Sequence, residues 1–533
     1  MSKSYEQTNI TNENTKRSTG RDAQRMNILA ARLVAETVRT TLGPKGMDKM
    51  LVDSTGEITV TNDGVTILKE LNTDHPAARM VIEIAKTQEE KVGDGTTTAV
   101  ILAGELLKRA EELLNLGVHP TIITKGYRLA KEESIKILNA ECETIKKDDE
   151  EYLIKIAQTA ITGKGAEDNK ELLSKLIVKG LIEVGHIDDE DIRDNISVKR
   201  NIGESVSESE LIKGVVIDKE KTHPDMPSKV KDAKILLLDT ALEIKSTASD
   251  AKVSITSPEM MQSFIDTEER LLKSLIDKVK NTGANVVFCQ KGIDDLAQYF
   301  LAKEGIYATR RVKRSDMNKI SKATGAKIIS DFNNEQKILG AAGLVEQVKT
   351  GDDYMTIIRE CKNPKSITLL IKGTTSHVAE ESARAVDDAI GDVATVIKTN
   401  KIVSGAGSIE AKLAQSLREY AKTLKGREQL AAQNFADSFE IIPKILAENA
   451  GLDSINTLAE LKHAHSKGEK HAGIDVYTGK IIDALKNGII EPLNVKAQAI
   501  ISATEVATMI LRIDDVILTM PEDTKIKQEP DEM

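Results

Sequence analysis

Phosphate-type turns lie near both ends of this 533-residue chain and not in its middle. Leu42-Gly43-Pro44-Lys45-Gly46, Asn62-Asp63-Gly64 and Gly93-Asp94-Gly95-Thr96-Thr97-Thr98 come early, and Ser404-Gly405-Ala406-Gly407 comes late. If these turns serve one site, the first and last thirds fold together and the middle is inserted between them. The length agrees, because a single core stops growing at ~250–300 residues and two or more domains are expected above that.

The run Gly93 to Val100 is the richest in chemistry. Glycines let a backbone approach an anion closely, and a helix N-terminus offers unpaired N–H groups to phosphate. Three threonines add hydroxyl donors, and Asp94 can hold the Mg²⁺ that accompanies a nucleoside triphosphate. The alternative is an ordinary Asp/Thr helix cap after a turn. Asp63 sits in a tight turn, and Asp387-Asp388 falls in a helical context. ATP hydrolysis needs a metal bridging the β- and γ-phosphates and a carboxylate to orient the attacking water. Asp63, Asp94 and Asp388 can divide those tasks, although each alone reads as a turn or helix-surface residue. The chain has no GxxxxGK[ST] and no kinase motif set, so it is neither a P-loop ATPase nor a kinase.

With 40% hydrophobic and 30% charged residues, the chain is a well-packed folded protein. Aromatics are 3% and Trp is absent, so the cores are aliphatic and no stacking platform for single-stranded nucleic acid is evident. The net charge of −10 argues against general nucleic-acid affinity. Arg310-Arg311-Val312-Lys313-Arg314 therefore reads as a solvated or client-facing face. Cys142, Cys289 and Cys361 are far apart, show no zinc spacing and fit a reducing interior. The polar N-terminus carries no apolar signal region, and no stretch approaches the ~20 apolar residues of a membrane span.

Residues 1–20 are expected to be mobile. Ile28, Ala31, Ala35, Val38 and Leu42 recur at helical spacing and predict one helix from Arg21 to the Gly43-Pro44 breaker. Met50–Asp53 and Ile58–Thr61 predict a hairpin about Ser54-Thr55-Gly56, followed by helices to about Ile145. The charge run 146–151 reads as a boundary, and 152–213 as short helices with acidic turns. Ala233–Leu238, Ala284–Cys289 and Ala326–Ser330 read as strands alternating with helices, an α/β layer. Ser257-Pro258-Glu259 opens a helical insertion, with Leu272 to Val279 as core and Met260, Met261 and Phe264 as an adaptable partner- or client-binding tip. Ser366–Gly373 is a further strand, 375–515 is largely helical, and Pro521–Met533 reads as a disordered acidic tail.

Several segments together resemble the group II chaperonins, the archaeal thermosome subunits among them. They are Arg21–Arg25 leading into Thr41–Asp53, then Asn62–Gly64, Gly93–Thr98, Ile442–Asp453, Gly473–Val476 and Gly488–Pro492, in family order across essentially the whole chain. The resemblance implies a multidomain α and α/β chaperonin fold. A mainly helical equatorial ATPase domain would be 1–148 and 403–520, and a small α/β intermediate domain 149–216 and 367–402. An α/β apical domain would be 217–366, with a helical lid protrusion at about 243–275, and the tail 521–533. It implies a cytoplasmic subunit of stacked homo- or hetero-oligomeric rings that enclose unfolded clients, closing the lid with ATP and Mg²⁺. Specific nucleic-acid binding and membrane insertion are not implied.

Carried over by position, Asp94 would ligate Mg²⁺, and Asp63 and Asp388 would position or activate water. Leu42, Gly43, Pro44, Gly95, Thr96, Thr97, Thr98, Gly405 and Ala406 would line the nucleotide. Lys164 would sense the γ-phosphate, Glu491 would accept from the ribose hydroxyls, and Lys496 is a weaker match. One departure stands out: the family's Pro-Gly-Gly-Gly-Ala is Ser404-Gly405-Ala406-Gly407-Ser408 here. A Cβ at Ala406 would cost about 1–2 kcal/mol if its φ is positive. That motivates an alternative, a nucleotide-binding but weakly hydrolysing structural subunit of a mixed ring. A small-molecule ATP-dependent enzyme would need a polar substrate constellation that the sequence does not display.

Overall fold

The computed structural model describes residues 15–519, apart from 72, 148, 185–191, 245–256, 332–338 and 363. It divides into two compact units, Met1–Thr144 with Lys401–Met533, and Ile145–Asn400.

The first unit is built on helices. Gly20–Arg39 buries Ile28, Ala31, Val34, Ala35 and Val38 along one stripe. It stops at Arg39, so Leu42 lies in the following turn and not on the predicted stripe. Thr96–Asn115 is the central helix, buried without a break from Ala99 to Leu107, as a helix enclosed by neighbours must be. The helix begins at Thr96, so the three threonines form its first turn. Gly104 allows it to touch Gly20–Arg39: a Cβ there would lie 2.4 Å from the Ala35 Cβ.

The chain has few aromatic residues, and three of them join its early and late parts. Tyr127 meets Phe435 edge-on at 5.4 Å, and Phe435 meets Phe439 at 5.6 Å. The Tyr127 hydroxyl donates to the Leu106 carbonyl at 2.8 Å, which satisfies its one polar group. Lys401–Ser404 runs antiparallel between Glu143–Thr144 and Ile490–Pro492, a second seam between the two parts. Thr15–Thr19 pairs antiparallel with Asp515–Thr519, so the expected mobility fails for these five residues. Their partner strand lies some 500 positions away, so nothing local in the sequence signals it. Arg17 and Asp515 reinforce the pairing at 2.6 Å.

The second unit carries two sheets. The larger runs Tyr307–Thr309, Val286–Cys289, Lys229–Leu238, Gly340–Thr350, Asp353–Arg359, Val216–Ile217, with Ile328–Ile329 parallel to Lys229–Leu238. Ile235 and Leu237 face one core layer while Leu236 and Leu238 face the other, as strand alternation requires. The expected α/β layer is present, with its strands in parallel pairs. The antiparallel strands Gly340–Thr350 and Asp353–Arg359 are an addition, their start hidden by the strand-poor Gly340-Ala341-Ala342-Gly343. The smaller sheet places Ile367–Gly373 between Ile196–Ile202 and Glu210–Ile212. Sequence patterning read only helices and turns across 152–213 and missed the Ile196–Ile202 strand. Helix Ser376–Thr399 contacts this sheet and the helix Glu150–Ile161.

Helix Pro258–Asn281 starts where expected, with the Ser257 hydroxyl accepting from the Met260 N–H at 3.2 Å. It buries only Leu272, Ile276 and Val279, whereas Met260, Met261 and Phe264 are about half exposed, at 47%, 54% and 45%. Residues 245–256 of the expected protrusion and 521–533 of the expected tail lie outside the described residues.

The Gly104 contact is testable. Gly104→Val should destabilise the first unit by about 2 kcal/mol, because overpacking at a closed helix crossing outweighs the gain in helix propensity. Denaturant unfolding monitored by circular dichroism measures it, and unchanged stability would contradict the crossing.

Candidate functional site

Asp63 caps the helix Gly64–Glu70. One carboxylate oxygen accepts from the Val65 N–H at 3.3 Å, and the other from the Thr66 N–H at 2.9 Å and the Thr66 hydroxyl at 2.6 Å. These bonds fix the carboxylate's direction and leave lone pairs free to accept from water. Where the sequence alone offered a turn or helix-surface residue as the alternative, Asp63 is a helix cap, and that geometry is also compatible with the site reading. Gly64 lies directly on the first turn of Thr96–Asn115: a Cβ there would sit 2.4 Å from the Thr97 hydroxyl.

Gly93 and Gly95 both hold positive φ, +89° and +77°, and bring the chain into that helix with Asp94 between them. No side chain caps the helix, so its first N–H groups are free of a side-chain acceptor. Gln88 pins the turn, its amide donating to the Asp94 carbonyl at 2.9 Å and to the Val495 carbonyl at 3.1 Å. A Cβ at Gly95 would come within 2.6 Å of Val495.

Helix Ile441–Asn449 ties the other two turns together. Leu446 lies beneath Gly43 and Pro443 beneath Gly407, so each would meet a Cβ within 2.8 Å. The Asn449 amide donates to the carbonyls of Arg39 and Leu42 at 3.2 and 2.9 Å. Ala406 has φ +56°, so the Cβ that replaces a glycine hydrogen does stand in the left-handed region. The Gly405 N–H donates to the Ile489 carbonyl at 2.9 Å, and a Cβ on Gly405 would lie 2.9 Å from the Glu491 carboxylate.

Lys496 is buried between two carboxylates, Glu410 at 2.8 Å and Glu491 at 2.6 Å. Burial alone would lower the lysine's pKa, but Glu410 and Glu491 together raise it, so it stays an ammonium ion. Burial raises the Glu491 pKa most, and Glu410 and Asp94 push it further up against the pull of Lys496. Asp94 is therefore electrostatically part of the same cluster. This joins the Gly93–Thr97 turn to the Ser404–Gly407 turn through the 489–496 segment.

Among the described residues, buried polar atoms around these turns without a hydrogen-bond partner include Gln88 Oε1, Ser408 Oγ and Glu410 Oε2. Buried polar atoms without partners are uncommon, and here they flank glycine-lined backbone at an open helix terminus. Gln88 Oε1 and Glu410 Oε2 can only accept, so it is the uncapped helix N-terminus and the glycine-lined backbone that suit a phosphate-bearing ligand. Among the described residues no cluster of three or more His, Cys, Asp or Glu is placed to hold a metal. A Mg²⁺ held by one carboxylate, waters and substrate phosphates does not require one.

The first unit thus gathers Leu42, Gly43, Pro44, Asp63, Asp94, Gly95, Thr96, Thr97, Thr98, Gly405, Ala406, Glu491 and Lys496 on a connected set of turns. In the second unit Lys164 and Asp388 form an ion pair of 2.5 Å, each about one-fifth exposed. Met260, Met261 and Phe264 sit apart from that pair in sequence, on an exposed helix face. Sequence reasoning missed Gln88, Glu410 and Asn449. Glu410, two residues after Ser408, was the accessible signal, an acid in the first turn of an uncapped helix.

The TCP-1/cpn60 chaperonin family model matches residues 34–521. Thermosome subunit beta of Archaeoglobus fulgidus is 57% identical over 512 residues, covering 95% of this chain and 94% of that one. A thermosome subunit of Methanothermococcus thermolithotrophicus is 56% identical over 511 residues, 95% and 93% of the two chains. A solved open-state monomer of a group II chaperonin from Methanococcoides burtonii shares 48% identity with a TM-score of 0.58, covering 79% of this chain and all of that one. The chain belongs to the TCP-1/cpn60 chaperonin family, whose general role is ATP-driven protein folding. No described helix is long and apolar enough to cross a membrane.

Lys496→Met should destabilise the first unit by about 3–5 kcal/mol, because it strands Glu410 and Glu491 without a counter-charge. Adding Glu410→Gln and Glu491→Gln should restore most of the loss. Thermal unfolding of the single and triple variants decides it, and equal melting of wild type and Lys496→Met would refute the assignment.

Proposed function

We propose that this chain hydrolyses ATP with Mg²⁺ as a subunit of a double-ring group II chaperonin, enclosing unfolded proteins and closing a built-in lid as it turns over. The observation that carries this reading is that Gly64, next to Asp63, lies against the first turn Thr96-Thr97-Thr98, which Asp94 precedes and no side chain caps. The backbone N–H groups and threonine hydroxyls of that turn would cradle phosphate, and Asp94 would hold the Mg²⁺ that neutralises it. Asp63, aimed by its own cap bonds, would position the attacking water. Leu42, Gly43, Pro44, Gly405 and Ala406 would line the nucleotide, Glu491 would accept from the ribose, and Lys496 would hold Glu491 in place.

On the resemblance of its surroundings we assign Asp388 a share in orienting the water, and Lys164 the sensing of the γ-phosphate. The half-exposed Met260, Met261 and Phe264 suit contact with clients or a neighbouring lid, since methionine adapts to varied apolar shapes. Thermosome relatives named alpha and beta support assembly from more than one copy or kind of subunit. The free cysteines Cys142, Cys289 and Cys361 suit the cytoplasm. The three-domain division at 148, 216, 366 and 402 is the family's, and we adopt it for the cycle of capture and closure.

A second reading, a nucleotide-binding subunit that hydrolyses weakly within a mixed ring, is favoured by one feature, the positive φ of Ala406. ATPase assays on size-fractionated protein separate the two. Wild type in a ring-sized particle should turn over. Asp63→Asn, which keeps the helix cap but loses the charge, and Asp388→Ala should each lower kcat at least 100-fold with assembly intact. An assembled wild type that binds but does not hydrolyse ATP would favour the second reading. A chain that stays monomeric alone, with nucleotide and with partner subunits would refute both.

A further inference from the structure

Ser404 and His471 form a partly buried contact that neither the nucleotide reading nor the ion cluster uses. The Ser404 hydroxyl lies 2.6 Å from His471 Nδ1, and Ser404 is only 5% exposed. On the far side of the ring, Nε2 is 3.6 Å from a Glu143 carboxylate oxygen, which Lys470 also reaches at 2.7 Å. Assigning the ring proton to Nε2, the nitrogen on the carboxylate side, leaves Nδ1 to accept the hydrogen of the Ser404 hydroxyl. Three residues on, the Ile474 N–H donates to the Ala406 carbonyl at 3.0 Å. The segment His471–Ile474 therefore grips the chain both before and within the turn Gly405–Gly407.

The strand Lys401–Ser404 does not need this bond to stay in place, because it is hydrogen-bonded to strands on both sides. The extra constraint acts on the turn that follows. That turn holds Ala406 at φ +56°, and a non-glycine residue stays there only when its surroundings over-determine it. We infer that the Ser404–His471 hydrogen bond is a positioning element for nucleotide binding, holding the Gly405–Ala406–Gly407 backbone in the conformation that meets the nucleotide. The inference rests on the nucleotide reading of this turn given above.

The bond is sensitive to protonation. Burial first, and then Lys470, hold the His471 pKa below the usual histidine range, against the opposing pull of Asp483, Glu143 and Glu141. The ring is therefore neutral at pH 7 and above. Acidification places a second N–H on Nδ1, facing the serine hydroxyl in place of a lone pair. Nucleotide affinity should fall as the pH drops through the ring's pKa, and remain full above it.

Calorimetric titration of the full chain with ADP and Mg²⁺ tests this in wild type, Ser404→Ala, Ser404→Thr, His471→Ala, His471→Asn and the double alanine variant. Ser404→Ala and His471→Ala should each weaken ADP about fivefold, the worth of one ordinary hydrogen bond, and the double variant no more than either. Ser404→Thr, which keeps the hydroxyl, should bind as wild type. His471→Asn should retain affinity and lose the decline between about pH 8 and about pH 5 seen in wild type. Variants that melt earlier yet bind ADP as wild type does would overturn the inference and leave the pair a packing feature. Additive losses would overturn it too. Wild type that binds no ADP would overturn the nucleotide reading itself, and the inference with it.

Discussion

The buried ammonium of Lys496 is the interaction on which the first unit's turns depend. It joins the start of helix Ser408–Thr423, through Glu410, to strand Ile490–Pro492, through Glu491, and is itself anchored in helix Leu493–Leu511. Two carboxylates meet one cation, and Asp94 adds a further negative charge close enough to push the Glu491 pKa up. A buried cluster with such an excess is stable only if its geometry is held firmly from outside or if a cation neutralises it. The Gln88 amide and the glycine contacts around Val495 and Pro443 supply the first.

The same cluster explains why the turns come from distant parts of the chain. No single helix end could gather an open N-terminus, a capping carboxylate and a buried charge pair. The chain uses Pro443 and Leu446 on one helix to seat two turns, and the 489–496 segment to seat a third. Lys401–Ser404 between Glu143–Thr144 and Ile490–Pro492 then closes the unit where the second unit leaves and returns. Small residues at Gly64, Gly95, Gly104 and Gly407 let elements approach to backbone contact, and such a design favours aliphatic cores with few rings.

Much of this was legible in the sequence because its signals are local. The stripe Ile28, Ala31, Ala35, Val38 states a helix, Ser257-Pro258-Glu259 states a helix start, and Met50–Thr61 states a hairpin. The turns Gly93–Gly95 and Ser404–Gly407 announced themselves by composition, while the sign of φ at Ala406 stayed open until the structure showed it positive. What escaped was set by partners far along the chain. The strand Thr15–Thr19 exists because of residues 515–519, and Ile196–Ile202 because Ile367–Gly373 lies beside it. Gln88 and Asn449 are polar residues on amphipathic helices, and only the three-dimensional neighbourhood reveals that their amides hold turns in place.

The ion pair between Lys164 and Asp388 bears on how the second unit could rearrange. A ligand shifts a conformational equilibrium only by the difference in its affinity for the two states. Lys164 and Asp388 are 2.5 Å apart and largely shielded from solvent, so each already has a strong electrostatic partner. Lys164 sits on the turn that ends helix Glu150–Ile161 and Asp388 on helix Ser376–Thr399, two helices in mutual contact, so the pair ties one to the other. Separating the two charges without new partners would leave each shielded from water and uncompensated, so a rearrangement of these helices must offer both groups other contacts.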